Sequence, residues 1–449
     1  MTAPAGLAGR LDAFFGLSSR GTTVRTEVLA GATTFMTMAY ILFVNPAILG
    51  KVADAAGATP PFPAVLTSTA LVAAAATLAM GLLANLPLAL AAGMGLNSVV
   101  AFQLVAGMRL TWPQAMGVVV AEGLVISLLV ATGLRQAMVR AVPTSMKKAI
   151  GIGIGLFLAI IGFVDAGFVS RNAADPVPVA LGTGGHLRGF PVVLFALTLL
   201  FTGWLVLREV RGALLLGILS STALAVAAKA LWGEAAGFRP WEVALPASPV
   251  AMPDFSQVGR FSFGFVGALG AAAAALTVFS LMLSDFFDTV GTVVAVGQQA
   301  RYLDAEGNYP RPGTVLMVDS LAAVAGGAAG ASSATTYIES AAGAAAGGRT
   351  GLASVVTALL FAACLFISPL AGVVPPQATG AVLVLVGFFM MRDVGSLPWG
   401  DATEAIPAFL TLTVMPFTYS ITNGIGAGFV SYVALKALAG RGREVRPLM

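Results

Sequence analysis

Asp285 and Asp288 stand three residues apart in an otherwise apolar run, with Thr289 and Thr292 four and seven residues beyond Asp285. At helical spacing all four fall on one face. Glu339 lies in a second stretch, 331–343, built of small and hydroxyl residues that include Thr335, Thr336 and Ser340. Asn97 is the one polar side chain of a third stretch, 88–97, which also carries Gly95. An ionisable group inside an apolar span is costly, so it faces a cavity or a partner. For Glu339 the plain structural alternatives are a helix cap or a pair with Arg349; for the aspartates, a polar seam. No Lys or Arg sits in the middle of a span to neutralise them. Three such carboxylates imply water access, protonation, a bound cation or a ligand that donates hydrogen bonds.

The chemistry on offer is recognition and proton binding. Carboxylates accept, and Asn97 both donates and accepts. A planar heterocycle with N–H and C=O edges fits this inventory, although the inventory does not single it out. The only histidine, His186, falls in a loop, so a coupled proton would ride on Glu339, Asp285 or Asp288. There is no His/Cys metal cluster and no Ser-His-Asp set, and Cys364 is the only cysteine. An enzyme, a metal site and a bound cofactor are therefore not expected. Gly151-Ile-Gly-Ile-Gly155 lacks the context of a nucleotide site and reads as helix packing.

The elements that must position these residues are membrane spans. Of 449 residues 58% are hydrophobic and only 10% charged, and the mean hydropathy is +0.91. Apolar runs near 20 residues suit helices, not the alternating strands of a barrel. The expected class is an all-α polytopic membrane protein with about fourteen transmembrane segments. Segments three and ten, around Asn97 and Glu339, should each be a short extended piece followed by a half-helix, whose N–H groups and dipole face a cavity. Segment eight should run from near 264 to 297, long enough to protrude or tilt. The piece 405–417, interrupted by Pro407 and Pro416, reads as re-entrant or barely spanning. Residues 1–25 hold no signal-peptide pattern. Seventeen of the 24 Lys and Arg fall on the side that places both termini in the cytoplasm. Basic residues confined to loops give no reason to expect nucleic acid; the lipid bilayer is the expected surrounding.

The two halves echo each other. Val226-Ala-Ala-Lys229-Ala-Leu231 matches Val433-Ala-Leu-Lys436-Ala-Leu438, Val142-Pro143 matches Val374-Pro375, and Asn97 has Glu339 as its counterpart. Seven spans per repeat make the second repeat inverted, with the ligand site near the midplane.

Several runs then point to a family: Phe15-Gly-Leu17 through Thr33-Thr-Phe-Met-Thr-Met-Ala-Tyr-Ile-Leu-Phe-Val-Asn-Pro46, Ala92-Gly-Met-Gly-Leu-Asn97, Asp285-Phe-Phe-Asp-Thr-Val-Gly291, and Thr335-Thr-Tyr-Ile-Glu-Ser-Ala-Ala-Gly343 with Gly348-Arg-Thr-Gly351. Over nearly its whole length the chain resembles the AzgA-like branch of the nucleobase–cation symporter-2 family, permeases for hypoxanthine, guanine and adenine. It departs at Ser98 and Val99, where relatives often carry an aromatic-containing run. The resemblance implies a uracil-permease-like 7+7 inverted-repeat fold. It implies a core domain at 26–141 and 263–370, and a gate domain at 142–262 and 371–440. Residues 1–25 and 441–449 would be cytoplasmic ends. It also implies a homodimer through the gate domain in the inner (plasma) membrane, moving like an elevator. Asn97, Asp285 and Glu339 would contact the purine, with Gly95 and Asp288 supporting the site. The expected activity is purine import driven by the proton gradient. An uncoupled facilitator or channel is the alternative, as is xanthine, uracil or an anion as substrate.

Overall fold

The computed structural model describes residues 6–132, 143–170, 179–182, 185–239, 242–246, 248–300, 302, 309–418 and 421–445. A short helix, α1 (Leu7–Phe15), precedes the first span, which is two helices, α2 (Val24–Met38) and α3 (Ile41–Leu49). The second span, α4 (Phe62–Ala79), ends in a wide turn to Ala84. The third begins as strand β1 (Leu90–Ala92), turns into α5 (Met94–Ser98) and continues to Gly107. Spans four to seven are α6 (Trp112–Ala131), α7 (Thr144–Asp165), α8 (Phe190–Leu207) and α9 (Ala213–Trp232). Between α7 and α8, β2 (Val169–Ser170) pairs with β3 (Ala180–Leu181).

The second half opens with α10 (Phe265–Leu269) and α11 (Ala271–Ala300), followed by α12 (Pro312–Ala329). The tenth segment repeats the strand-then-helix plan in β4 (Ala334–Thr336) and α13 (Ser340–Ala345). The last four are α14 (Gly351–Ala363), α15 (Pro376–Met390), α16 (Ala402–Thr418) and α17 (Ile421–Leu438). Among the described residues this gives fourteen segments. Eight helices are long and apolar enough to cross a membrane unaided. Proline stands in the first turn of α4, α6, α8, α12 and α15, where its missing N–H would have had no helical partner.

Segment eight is divided at Gly270, whose φ of +81° is the left-handed conformation that glycine tolerates. Of the two readings of 405–417, the re-entrant one is corrected: α16 runs continuously through Pro407 and Pro416. One proline lies in the second turn and the other in the last, so few backbone bonds are lost. The boundary expected at 141–142 and the end of the tail, 446–449, lie outside the described residues.

Contacts divide the chain into two units. The first comprises Met1–Asn97, Leu110–Thr132 and Val250–Ser368. In it α14 packs on α2 and α4, and α6 packs on α12. A Cβ on Gly351 would lie 1.9 Å from the Gly81 carbonyl oxygen, so only glycine lets these backbones touch. The second unit comprises Ser98–Arg109, Gly133–Pro249 and Pro369–Met449. Here α7 packs against α15 and α16. The Gly151–Gly155 run serves this packing: a Cβ on Gly155 would meet the Gly387 carbonyl oxygen at 2.8 Å, and one on Gly387 would meet that of Gly155 at 2.4 Å. At the end of α17 the buried Lys436 ammonium reaches Glu444 at 2.7 Å and Glu404 at 3.1 Å, while Arg441 reaches Asp401 at 2.7 Å. The Thr403 hydroxyl and Arg441 hold the Asp401 carboxyl down to about 2. Arg441 and Lys436 hold that of Glu444 down to about 2 as well.

Candidate functional site

Two three-residue strands make the crossing at the centre of the first unit. β1 and β4 run antiparallel, with Leu90 opposite Thr336, Ala91 opposite Thr335 and Ala92 opposite Ala334. So short a ladder leaves backbone groups unpaired, and inside an apolar protein each must find a partner. Hydroxyls and neighbouring backbone supply them. Leu90 N–H donates to Thr77 Oγ1 at 2.9 Å, and the Thr77 hydroxyl donates to Leu90 O at 3.0 Å. Ala89 N–H donates to Ser340 Oγ at 3.0 Å. Gly93 N–H donates to Ser333 O at 2.8 Å, and Tyr337 N–H to Ala89 O at 2.9 Å. The Tyr337 hydroxyl donates to Ala92 O. The Asn45 amide donates to Ala331 O at 3.0 Å. Space at Gly93 is tight: its Cβ would fall 2.9 Å from a Leu96 methyl and 3.0 Å from the Thr335 methyl.

The α11 face built from Asp285, Thr289 and Thr292 is buried, as their spacing requires. Asp288 departs from it and is exposed. At about 100° per residue it lies roughly 60° round the helix from Asp285 and about 100° from Thr289, on the shoulder of the stripe. Its charge neighbours are Asp319 and Glu339. The Thr289 hydroxyl donates to Asp319 Oδ2 at 2.7 Å and lies 2.8 Å from that of Thr335. Thr336 N–H donates to Asp319 Oδ1 at 3.1 Å. Asp319 thereby clamps strand β4 to α11 and α12.

Glu339 immediately precedes α13 and makes no side-chain cap. Neither structural alternative describes it. Arg349 donates instead to the carbonyl oxygens of Ala344 at 2.6 Å and Gly348 at 2.7 Å. Glu339 Oε1 accepts from the Tyr40 hydroxyl at 2.5 Å, and Thr37 donates to Glu339 O at 3.3 Å. The carboxylate is half-buried, held from one side by an aromatic at the α2–α3 break.

Asn97 is fully buried in α5. Its N–H bonds to Gly93 O at 2.8 Å. Both polar atoms of its side chain lack a hydrogen-bond partner among the described residues. A buried amide without partners is unfavourable, so Asn97 is suited to a ligand's donor and acceptor. Gly95 is half-buried in the same turn. The ladder accommodates the expected pairing of Asn97 with Glu339: a two-fold through its Ala92–Ala334 pair maps Asn97 onto Glu339, each five residues further along.

The structure joins Asp285's face, Thr289, Thr335, Thr336 and Asp319 directly, and sets Asp288 near Glu339. Asn97 is linked through the Gly93–Ser333 backbone bond. Ser340 holds β1. Sequence reasoning missed Glu122 on α6, fully buried beside Asp285, whose carboxyl oxygens have no hydrogen-bond partner among the described residues. It also missed Asp319 and Tyr40. Each acid carried the signal that exposed Glu339, a lone carboxylate in an apolar run. No Lys, Arg or His occurs in α6, α11, α12, β4 or α13. The cluster is an array of acceptors with one amide, matched to a neutral ligand that donates hydrogen bonds.

The Permease family profile (Xan_ur_permease) matches residues 25–426. The adenine permease AdeP of Escherichia coli (strain K12) is 40% identical over 442 residues, 98% of this chain and 93% of the relative. The guanine/hypoxanthine permease PbuG of Bacillus subtilis (strain 168) is 37% identical over 448 residues, 98% of this chain and 97% of the relative. Among solved structures, the transmembrane domain of a cyanobacterium bicarbonate transporter, BicA, aligns with a TM-score of 0.65 at 13% identity, covering 90% of this chain and 97% of that one. That likeness concerns the fold, the seven-plus-seven inverted repeat.

Proposed function

The chain belongs to this Permease family, in its AzgA-like branch of multi-pass membrane transporters and not among enzymes, and from that premise we propose that it imports purine nucleobases by proton symport. The observation that carries the proposal is the acceptor-rich, cation-free crossing in a chain whose relatives over almost its full length are adenine and guanine/hypoxanthine permeases. A purine is neutral near pH 7 and presents N–H groups on one edge and carbonyl or ring nitrogen on another. Glu339 and Asp285 accept from the N–H edge. Asn97 and backbone N–H groups near the start of α5 hold the other. Gly95 gives the ring room, and Asp288 supports Glu339. Thr289, Thr292, Thr335, Thr336 and Ser340 keep the crossing in shape. Carboxylates repel an anion, which argues against anion transport.

Protonation of an acid in the cluster accompanies loading, and its release inside resets the carrier. In this reading no cofactor is needed beyond the proton gradient. The core domain (26–141 and 263–370) moves like an elevator against a gate domain (142–262 and 371–440) through which two copies pair. Both termini lie in the cytoplasm and the protein sits in the inner membrane. The test is uptake of labelled hypoxanthine, guanine and adenine in cells stripped of their own permeases. Uptake is expected to be concentrative, abolished by a protonophore, and lost in Glu339→Gln and Asp285→Asn at equal expression. Wild-type uptake by both variants would overturn the site. Uptake that ignores the protonophore and never concentrates substrate would replace symport by facilitation.

A further inference from the structure

Glu122 has no role in the purine contacts proposed above, yet it is fully buried beside Asp285, on a helix packed against the one that carries Asp285, and its carboxyl oxygens accept no hydrogen bond among the described residues. The residue after it explains the position. A Cβ on Gly123 would lie 2.7 Å from Val324 N and 3.0 Å from Ser320 O, so α6 and α12 touch backbone to backbone. The α6 helix also packs on α11, which carries Asp285. Among the described residues, the charged groups named beside Glu122 are acids: Asp285 from α11 and Asp319 from α12. None of the three helices contains Lys, Arg or His. Asp319 has the Thr289 hydroxyl and Thr336 N–H as donors. Two adjoining carboxyls in a low-dielectric interior cannot both carry charge. One proton between them turns repulsion into a hydrogen bond.

We propose that Glu122 and Asp285 share a single proton, and that this proton is the one coupled to transport, with Glu122 as its carrier and Asp285 as the member that also faces substrate. The inference rests on the proton-symport reading above. One proton enters the pair from the outer solution as the nucleobase binds. The same proton leaves to the cytoplasm after the nucleobase is released. The link to the crossing is short: Thr289, one turn beyond Asp285, lies 2.8 Å from the Thr335 hydroxyl of β4. Four residues after Thr335 the chain reaches Glu339. Loss or gain of the proton at Asp285 thus acts on the strand that precedes the substrate-facing acid.

The experiment uses the full-length protein in proteoliposomes with labelled hypoxanthine. It measures accumulation under a pH gradient, and exchange without one from pH 5 to 9. With one proton per nucleobase, a one-unit gradient supports roughly tenfold accumulation. Wild type is expected to reach it. Glu122→Gln is expected to fall to about onefold while retaining exchange within about threefold, now flat with pH; Glu122→Asp restores accumulation. Infrared spectra of the purified protein should show a protonated carboxyl band at neutral pH that Glu122→Gln removes. Glu122→Gln that accumulates like wild type overturns the assignment. So does equal loss of accumulation and exchange in a variant that melts like wild type, or a band that survives the substitution. Wild type that fails to accumulate under the gradient sinks the symport reading itself, and this assignment with it.

Discussion

Glu27 gives the sharpest test of how the first unit is held together. It is fully buried in the first turn of α2, and it binds the start of α14, more than 320 residues away in sequence. Oε1 accepts Arg349 N–H at 2.8 Å; Oε2 accepts Thr350 N–H at 3.3 Å and Ala353 N–H at 3.2 Å. These are donors that a helix N-terminus cannot satisfy itself. Glu27→Gln keeps the shape but only one oxygen. Whichever way the amide turns, at least one N–H then faces an NH2 group. An orphaned donor costs about 1–3 kcal/mol, and losing the charge at a helix N-terminus costs about 0.3–2 kcal/mol more. A total near 2–4 kcal/mol is expected. At roughly 2.1 cal/mol/K per residue, 449 residues give an unfolding entropy of about 0.9 kcal/mol/K. The melting temperature should therefore fall by about 2–4 °C in a thermal unfolding assay of the detergent-purified protein. KM for the purine should not move, because Glu27 bonds α14 and not the crossing. A variant that melts with wild type would show that this interhelical cap does not hold the unit, and the reasoning would fail.

Tyr40→Phe removes the hydroxyl donated to Glu339; a charge-assisted bond of about 1.5–3 kcal/mol predicts at least a tenfold fall in kcat/KM for purine uptake, and unchanged kinetics would sever Tyr40 from the site. Asn97→Ala should abolish stabilisation by added purine while lowering the melting temperature of the ligand-free protein little, since its amide makes no bond within the described residues; a large loss of stability would mean that the amide is structural. The cluster at the end of α17 carries a pH dependence. Asp401 and Glu444 are held down to about 2 in the folded protein, below the usual carboxylate range near 4. Their contribution is therefore present above about pH 4 and disappears as pH falls through about 2. The melting difference between wild type and Arg441→Gln should be constant from pH 8 to about 4 and close below it; a difference that changes between pH 5 and 8 would refute the assignment.

What was legible in the sequence follows from the range of the interactions. Span positions depend on local hydropathy and local breakers, so fourteen segments could be placed from composition and proline alone. Asp285 and Glu339 stood out because an acid among apolar neighbours is improbable whatever its partners are. Glu122 and Asp319 carried the same signal and were passed over, each lying singly within a long span with no second acid at helical spacing. Tyr40 and Glu27 gave no local signal, because an aromatic in a span and an acid in a first turn are ordinary. Their meaning lies in partners 299 and 322 residues away. The strand crossing has the same limit. Three-residue strands have no period to detect, so the ladder that sets Ala92 opposite Ala334 could not be read from content. Content did pair Asn97 with Glu339, each five residues beyond a member of that ladder pair. That pairing has a functional consequence. With Glu339 in the place of Asn97 in the repeat, the two half-helices present a carboxylate on one side and an amide on the other. A symmetric fold then offers an asymmetric site, as a ligand with a donor edge and an acceptor edge requires.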